Sequence, residues 1–471
     1  MNKKWFVILI FCFLFCFFDC PIVRADWTRR YESKGMAGAV WVYGISEVYD
    51  VAIGSSALYV VGRIYSLPPT ISKSWRLEKR DLANGALLDV ATLANSWPWV
   101  YPSIVVRDVD PNKGLYIGGG VPGFTGEKIV EKRNLSTLAF EGLVSTGSTS
   151  YGYNEIVIDN AGNFLYAVGA IGNVMNKNGI DKLDLSTGVV KGLASGQYEQ
   201  IAIDNTGIYV SEPQPKPPVG AGKIEKRDFN GNPVWSYNTE WPVADIAVDN
   251  TGVYVLQKKF GDWKLEKISL GGGAPLDSVK GNTGTTECTL GTRAAIAIDA
   301  TGLYYGRGEK LPAPAGLNEH QWVIDKRDLN DLSNVLWSTS MDFGDDKYDD
   351  GAVVKHSDCV HSMAVDVAGL YVGGIIGGPR GALWGAADWG LAGIDVGGGG
   401  PVGPYIDIGL RGYDGADTVI FAGEPVGVLT SPLRISKGGV VYGIALVDPA
   451  DAMASKFRIE TNSGLKVIRK F

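Results

Sequence analysis

The sequence predicts an all-β chain: a seven-bladed β-propeller closed by an N-terminal strand, followed by a small C-terminal β-sandwich-like domain. Three observations carry this expectation. The decapeptide IAIDNTGIYV at 201–210 returns 45 positions later as IAVDNTGVYV at 246–255. A second element, such as KIEKRDF from Lys223 or WVIDKRDL from Trp322, follows nearly every copy. Helical periodicity is absent and 63 glycines punctuate short apolar runs, the composition of many strands joined by tight turns.

Each copy reads as two strands and a turn. Ile201, Ile203, Ile208 and Val210 are β-branched and alternate with small or aromatic residues, which suits a pleated strand packed on both faces. In the turn Asp204-Asn205-Thr206-Gly207, Asp204 is placed to accept hydrogen bonds from backbone amides just beyond it, and Gly207 to supply a positive φ. The hairpin recurs with drift at 51–60 (VAIGSSALYV), 104–117, 156–167, 296–305 (IAIDATGLYY) and 363–372 (MAVDVAGLYV), which makes seven copies.

The third strand begins near Trp75, Ile129, Ile180, Lys223, Trp263 and Trp322. A Gly- or Asn-bearing turn then leads to a fourth, as at Val234-Trp235-Ser236 and Leu336-Trp337-Ser338. Four strands in about 45 residues is one blade, too small a unit to bury its own core until a ring stacks its neighbours against it. The seventh copy runs into Gly397-Gly398-Gly399-Gly400 without a fourth strand, whereas the segment 27–31 (WTRRY) precedes the first hairpin. An N-terminal strand is therefore expected to complete the last blade and hide both sheet edges.

At the front, Lys3 and Lys4, an apolar run of 14 residues from Trp5 to Phe18 and the small-residue site around Ala25 read as a signal peptide over 1–25. The run is shorter than the roughly 20 residues needed to span a bilayer. The expected mature product has no transmembrane span and is secreted, or resides in the periplasm or cell envelope. Removing Lys3, Lys4 and Arg24 against Asp19 takes the formal charge from −7 to −9. An acidic, well-mixed surface disfavours nucleic acid as a partner. The propeller is expected over 26–396, a Gly-rich linker over 397–403 and the small C-terminal β domain over 404–471, where several short apolar runs are divided by Gly, Pro and Asp.

The alternation of a Trp-bearing strand, an I-A-V-D-x-x-G-x-Y-V hairpin and a K-x-D-x-x-G strand resembles the bacterial β-propeller repeat family called SBBP. Asp184-Leu185-Ser186-Thr187-Gly188 and the segment from Asp228 to Trp235 are also similar to the blade motif of pyrroloquinoline-quinone-like propellers. The resemblance covers roughly 26–396 and implies the fold, with binding or scaffolding as the usual role. The first copy departs in carrying Gly54 for Asp, and no adjacent cysteine pair of the quinoprotein dehydrogenase kind is present.

Residues present in almost every blade serve the blade. The repeated acids Asp159, Asp204, Asp249, Asp299 and Asp366 are expected as turn acceptors, and the Glu-Lys-Arg runs at Glu78, Glu131 and Glu225 as cross-strand charge pairs. Residues that break the repeat are the binding candidates. In a blade running inner to outer, the second-to-third loops and the blade connections share one face, and here they are long. That face is expected to carry Trp97, Trp99, Trp241, Trp384 and Trp389 with His320, His356 and His361, aromatic and polar groups suited to a glycan or protein partner. The expected function is a non-catalytic exported binding module. The alternative is a polysaccharide lyase or hydrolase using histidines and acids on the same face.

No metal or other cofactor is expected. The spacing around His356, Cys359 and His361 matches no zinc pattern. Asp342, Asp345, Asp346, Asp349 and Asp350 are the acids calcium would use, without the alternation and terminal Glu of an EF-hand loop. Of five cysteines only Cys288 and Cys359 survive loss of the leader, and export supplies an oxidising setting, so a Cys288–Cys359 disulfide is expected.

Overall fold

The computed structural model describes residues 28–31, 47–65, 73–83, 85–93, 102–120, 128–145, 152–169, 179–212, 221–259, 261–283, 294–310, 320–341, 359–367, 369–376 and 388–397. In the tail it describes 410–411, 418–419, 433–437, 440–444, 456–461 and 464–469.

The N-terminal strand is β1 (Thr28–Tyr31). Blade 1 follows as β2 (Glu47–Ile53), β3 (Leu58–Tyr65), β4 (Lys73–Arg80) and β5 (Leu87–Leu93). Blade 2 is β6 (Ser103–Arg107), β7 (Gly114–Gly120), β8 (Lys128–Arg133) and β9 (Phe140–Ser145), and blade 3 is β10 (Tyr153–Ile158), β11 (Phe164–Gly169), β12 (Gly179–Asp184) and β13 (Val190–Ser195). Blade 4 comprises β14 (Ile201–Ile203), β15 (Ile208–Glu212), β16 (Lys223–Arg227) and β17 (Pro233–Asn238); blade 5 comprises β18 (Val243–Val248), β19 (Val253–Lys259), β20 (Asp262–Ile268) and β21 (Pro275–Asn282). Blade 6 is β22 (Ala295–Asp299), β23 (Gly302–Lys310), β24 (His320–Arg327) and β25 (Val335–Met341). Blade 7 holds β26 (Cys359–Val365), β27 (Leu370–Ile376) and β28 (Asp388–Ile394).

Blades 1 to 6 are antiparallel meanders in chain order and blade 7 runs β26-β27-β28-β1, so the propeller of seven blades is as the repeat predicts. In blade 7, β28 pairs with β1 from Thr28 opposite Ala392 to Tyr31 opposite Trp389. The first strands of successive blades lie side by side, and β26 of blade 7 lies against β2 of blade 1. Fourth strands such as β17 and β25 alternate exposed and half-buried residues. The first strands therefore ring the axis, and the fourth form the rim.

The hydrophobic core is divided among seven clusters, one at each joint between blades. At the joint of blades 7 and 1, Tyr371 and Leu391 pack with Val48, Val51, Leu58 and Val60. No sheet buries its apolar residues alone, so each blade's stability depends on its neighbours.

Local chemistry follows the repeat with two corrections. The turn aspartates accept as expected: Asp204 Oδ1 takes the amides of Thr206 at 2.6 Å and Gly207 at 2.9 Å, and Asp249 and Asp299 repeat the pattern. Gly207, however, does not adopt a positive φ. A Cβ there would meet the Arg227 carbonyl oxygen at 2.4 Å, so glycine is required by close approach of the third strand. The second correction concerns the Glu-Lys-Arg runs. Glu78 pairs with Arg80 two residues along the same strand, Nε donating to Oε2 at 2.7 Å, and Arg80 Nη1 also donates to the Gly85 carbonyl at 2.7 Å. Alternate residues of a strand share a face, which makes the pair intrastrand; Glu225 with Arg227 and Asp325 with Arg327 repeat it.

In the tail, β29 (Leu410–Arg411) pairs with β30 (Thr418–Val419). A second, four-stranded sheet contains β31 (Leu433–Lys437), β32 (Val440–Ile444), β33 (Lys456–Thr461) and β34 (Gly464–Arg469). The linker expected at 397–403 lies outside the described residues, apart from Gly397.

Candidate functional site

The axial strands carry a polar belt. Four of them are bulged at equivalent places, between Val48 and Asp50, Tyr153 and Glu155, Val243 and Asp245, and Val360 and Ser362. A bulge inserts one residue and re-aims the next side chain, and here that side chain reaches the following blade. Asp50 Oδ2 accepts the amide of Ile104 at 2.8 Å and the hydroxyl of Ser103 at 2.9 Å. Ser103 Oγ accepts the Ile156 amide at 3.3 Å, Glu155 accepts the Ile201 amide at 2.7 Å, and Asp245 Oδ2 accepts the Ile296 amide at 2.8 Å. Ser362 Oγ accepts the Val51 amide at 3.2 Å, which carries the pattern from blade 7 back to blade 1.

Burial dominates the electrostatics of this belt. It raises the carboxyl of Asp50 above its ordinary value against hydrogen bonds from Ser362, Ile104, Ser103 and Val51. It pushes Asp245 up to about 7 against bonds from the Ile296 and Ile246 amides, with the charge of Asp50 adding to the rise. These acids are committed to backbone amides, which suits joining blades rather than activating a nucleophile.

The predicted binding residues lie as follows. Trp97, Trp99, His356 and Trp384 fall outside the described residues, as do Asp342, Asp345, Asp346, Asp349 and Asp350. His320 opens β24, its backbone opposite Lys310, and Trp389 sits within β28 opposite Ile375. Trp241 is half-buried between β17 and β18; its amide donates to Gln257 Oε1 at 3.0 Å, and Lys280 Nζ lies 5.2 Å from its ring centroid. His361 stands in β26 at the bulge, not in a loop. Its Nδ1 donates to the Val48 carbonyl at 2.9 Å and its ring stacks 6.5 Å from that of Tyr49, with planes 6° apart. These four described positions are at strand ends or connections on the long-loop end, and His361 is the one brought against the axial belt.

Asp50, Glu155 and Asp245 were not among the candidates. Their signal is an acid immediately before the first Ile or Val of a hairpin in three of seven copies. Cys359 is buried at the start of β26, while Cys288 lies outside the described residues. Among the described residues no three His, Cys, Asp or Glu side chains gather in a way that could hold a metal ion. No helix among them is long and apolar enough to cross a membrane.

No protein-family model matches the chain, and no curated protein does. Among solved structures it is similar to BamB from Moraxella catarrhalis, at 12% identity over 78% of this chain and 97% of that one, with a TM-score of 0.38. It is also similar to a chain of a nidogen/laminin complex, at 13% identity over 49% of this chain and 79% of that one, with a TM-score of 0.34.

Proposed function

We propose that this chain is an exported, non-catalytic propeller that binds a glycan, a cell-envelope component or a protein partner through its long-loop face. The observation that carries the reading is the contrast between the two ends of the blades. At one end the first and second strands are joined by short turns, from Ile203 to Ile208, Val248 to Val253 and Asp299 to Gly302. At the other, strands stop far apart in sequence: Glu212 and Lys223, Lys310 and His320, Met341 and Cys359, Ile376 and Asp388. Variable length on one face of a rigid scaffold is the usual build of a recognition surface. Binding is favoured over hydrolysis because His361 is engaged with the Val48 carbonyl and the Tyr49 ring.

The reading includes export through the leader at 1–25, closure of the ring by β1, a sandwich-like tail domain and the Cys288–Cys359 disulfide. Closure is supported by the register of β1 with β28. The disulfide is supported by Cys359, whose sulfur is not a free thiol.

The test is a screen of the intact chain against polysaccharides and envelope fractions, repeated with segments 311–319 and 377–387 replaced by short Gly-Ser linkers. Retained folding with lost binding is the expected result. Saccharide turnover that disappears in a His356→Ala, His361→Ala variant would replace binding by the enzymatic alternative.

A further inference from the structure

The joint between blades 3 and 4 departs from its neighbours at the rim. In blade 4, Trp235 stands opposite Lys226 and donates its indole hydrogen to the Leu270 carbonyl of blade 5 at 2.9 Å. In blade 6, Trp337 stands opposite Lys326 and donates to the Val396 carbonyl of blade 7 at 3.3 Å. Blades 1 and 5 place Asp89 and Asp277 opposite the corresponding lysine. Blade 3 places Lys191 opposite Lys182. Like charges directly opposite one another on a sheet destabilise it.

Lys182 has also lost the bonds that occupy its counterparts. Lys226 and Lys326 each donate to a turn threonine, Thr206 or Thr301, at 2.7 Å. Lys226, Lys267 and Lys326 reach carbonyls of the next blade, at 3.3, 2.8 and 2.7 Å. In blade 3 the turn carries no threonine, and Phe164 stands one residue before Leu165 where Gly207 precedes Ile208. Its phenyl ring lies 3.8 Å from Lys182 Nζ. Among the described residues neither Lys182 nor Lys191 has an ion-pair or hydrogen-bond partner. Asp184 is close, but its Oδ1 is engaged by the amides of Ser186 and Thr187, at 2.9 and 3.0 Å, and by the Ser186 hydroxyl.

The missing indole leaves space. The bulge of this blade lies between Ile180 and Asp181, and Leu193 packs against Gly231 of blade 4. An open pocket of about 390 Å³ remains, lined by Phe164, Lys182, Val189, Lys191 and Phe229 among others. Phe229 comes from blade 4 and contacts Tyr166, ring centroids 5.9 Å apart. The walls are aromatic and aliphatic; the lining also holds Thr187, Asn230 and the Asp184 carboxylate, whose Oδ1 is engaged, and its cationic groups are the two ammonium groups of Lys182 and Lys191.

We propose that this pocket binds a small organic acid with a flat aromatic body, its ring between Phe164 and Phe229 and its carboxylate bridging Lys182 and Lys191. The ring takes a place that an indole occupies in blades 4 and 6, and the carboxylate relieves the cross-strand repulsion. Burial, with Lys191 adding to it, lowers the basicity of Lys182, and a bound anion reverses that shift. Aromatic walls with a few convergent charges are the usual composition of a small-molecule site. Because the pocket opens at the short-turn end, it is independent of the recognition surface on the other face.

The experiment is a titration of the intact chain with 1-naphthoate, with neutral 1-naphthalenemethanol and inorganic phosphate as comparison probes. Saturable binding of naphthoate alone is expected. Lys182→Met should weaken it by about tenfold or more, the loss of one charge-assisted hydrogen bond. Lys191→Trp should abolish it by refilling the gap, with the thermal midpoint unchanged or raised. Absence of saturation up to on the order of 10 mM overturns the proposal. Equal binding of the alcohol, equal binding of phosphate, or naphthoate affinity unchanged in both variants does so as well.

Discussion

The hydroxyl of Ser362 donates to Oδ1 of Asp50 at 2.7 Å, joining the last blade of the propeller to the first. Asp50 also accepts from Ser103 and from the amides of Val51 and Ile104. Asp50→Ala strips four donors of their acceptor and should cost about 2–4 kcal/mol, against about 1 kcal/mol for Ser362→Ala. The double variant should cost less than the sum of the two, since both remove the same bond. Urea unfolding measures all three, and strict additivity would show that the contact does not couple the blades.

Asp245 makes stability depend on pH. A carboxyl whose folded pKa stands above its unfolded value holds a proton that the unfolded chain has released. Its share of stability is complete below the unfolded value and is lost as pH rises through about 7. The thermal midpoint of the wild type should therefore fall between pH 5 and pH 8 by more than that of Asp245→Asn. Parallel curves for the two proteins would contradict the assignment.

Glu78 and Arg80 are fully buried. Arg80→Met leaves the buried Glu78 carboxylate with only the partly exposed Arg76 as counter-charge and should destabilise the ring by about 3 kcal/mol. Glu78→Met combined with Arg80→Met should recover much of that loss, because a buried ion pair is worth little more than an apolar pair of similar size. Denaturant midpoints of the single and double variants decide it.

If β1 closes the ring, deleting the mature chain through Tyr31 exposes the edge of β28 and removes the strand paired with it. The thermal midpoint should drop and the unfolding transition should broaden. An unchanged melting curve would mean that blade 7 is stable with three strands.

If the chain is exported as proposed, unreduced protein should yield one tryptic peptide pair linked through Cys288 and Cys359. The closed loop of 71 residues gives a stabilisation of ~4 kcal/mol in the chain-entropy model. Two alkylatable cysteines in unreduced protein would end the idea.

Most of the blade architecture is legible in the sequence because the hairpin repeats its own packing. Asp204, Asp249 and Asp299 recur with a following Gly, and a turn acceptor is what such an Asp does. The reason for Gly207 is not legible, because the crowding comes from Arg227, in a strand 20 residues away. Asp50, Glu155 and Asp245 escape for another reason. Their position is filled by Ser, Gln or Ala elsewhere, and only the bulges give it meaning. Among the aromatic and histidine candidates, Trp241 is held by Gln257 and Lys280, whereas His361 reaches the Val48 carbonyl of a blade more than 300 residues earlier.

The axial belt bears on how such a ring can change its number of units by duplication. Among the described residues, blades 1, 2, 3, 4 and 6 donate a first-strand amide to the unit before them, and blades 1, 2, 3, 5 and 7 supply the acceptor to the unit after them. A tandem copy of blade 5 would meet itself with both halves present, Asp245 facing a second Ile246 amide. A copy of blade 6 would not, since Ala295 stands at the acceptor position; the joint would lean on Trp337 and Lys326 at the rim, which already hold the Val396 carbonyl. Blades of this ring are thus unequal as templates for copying, and the inequality is set by one residue before each hairpin.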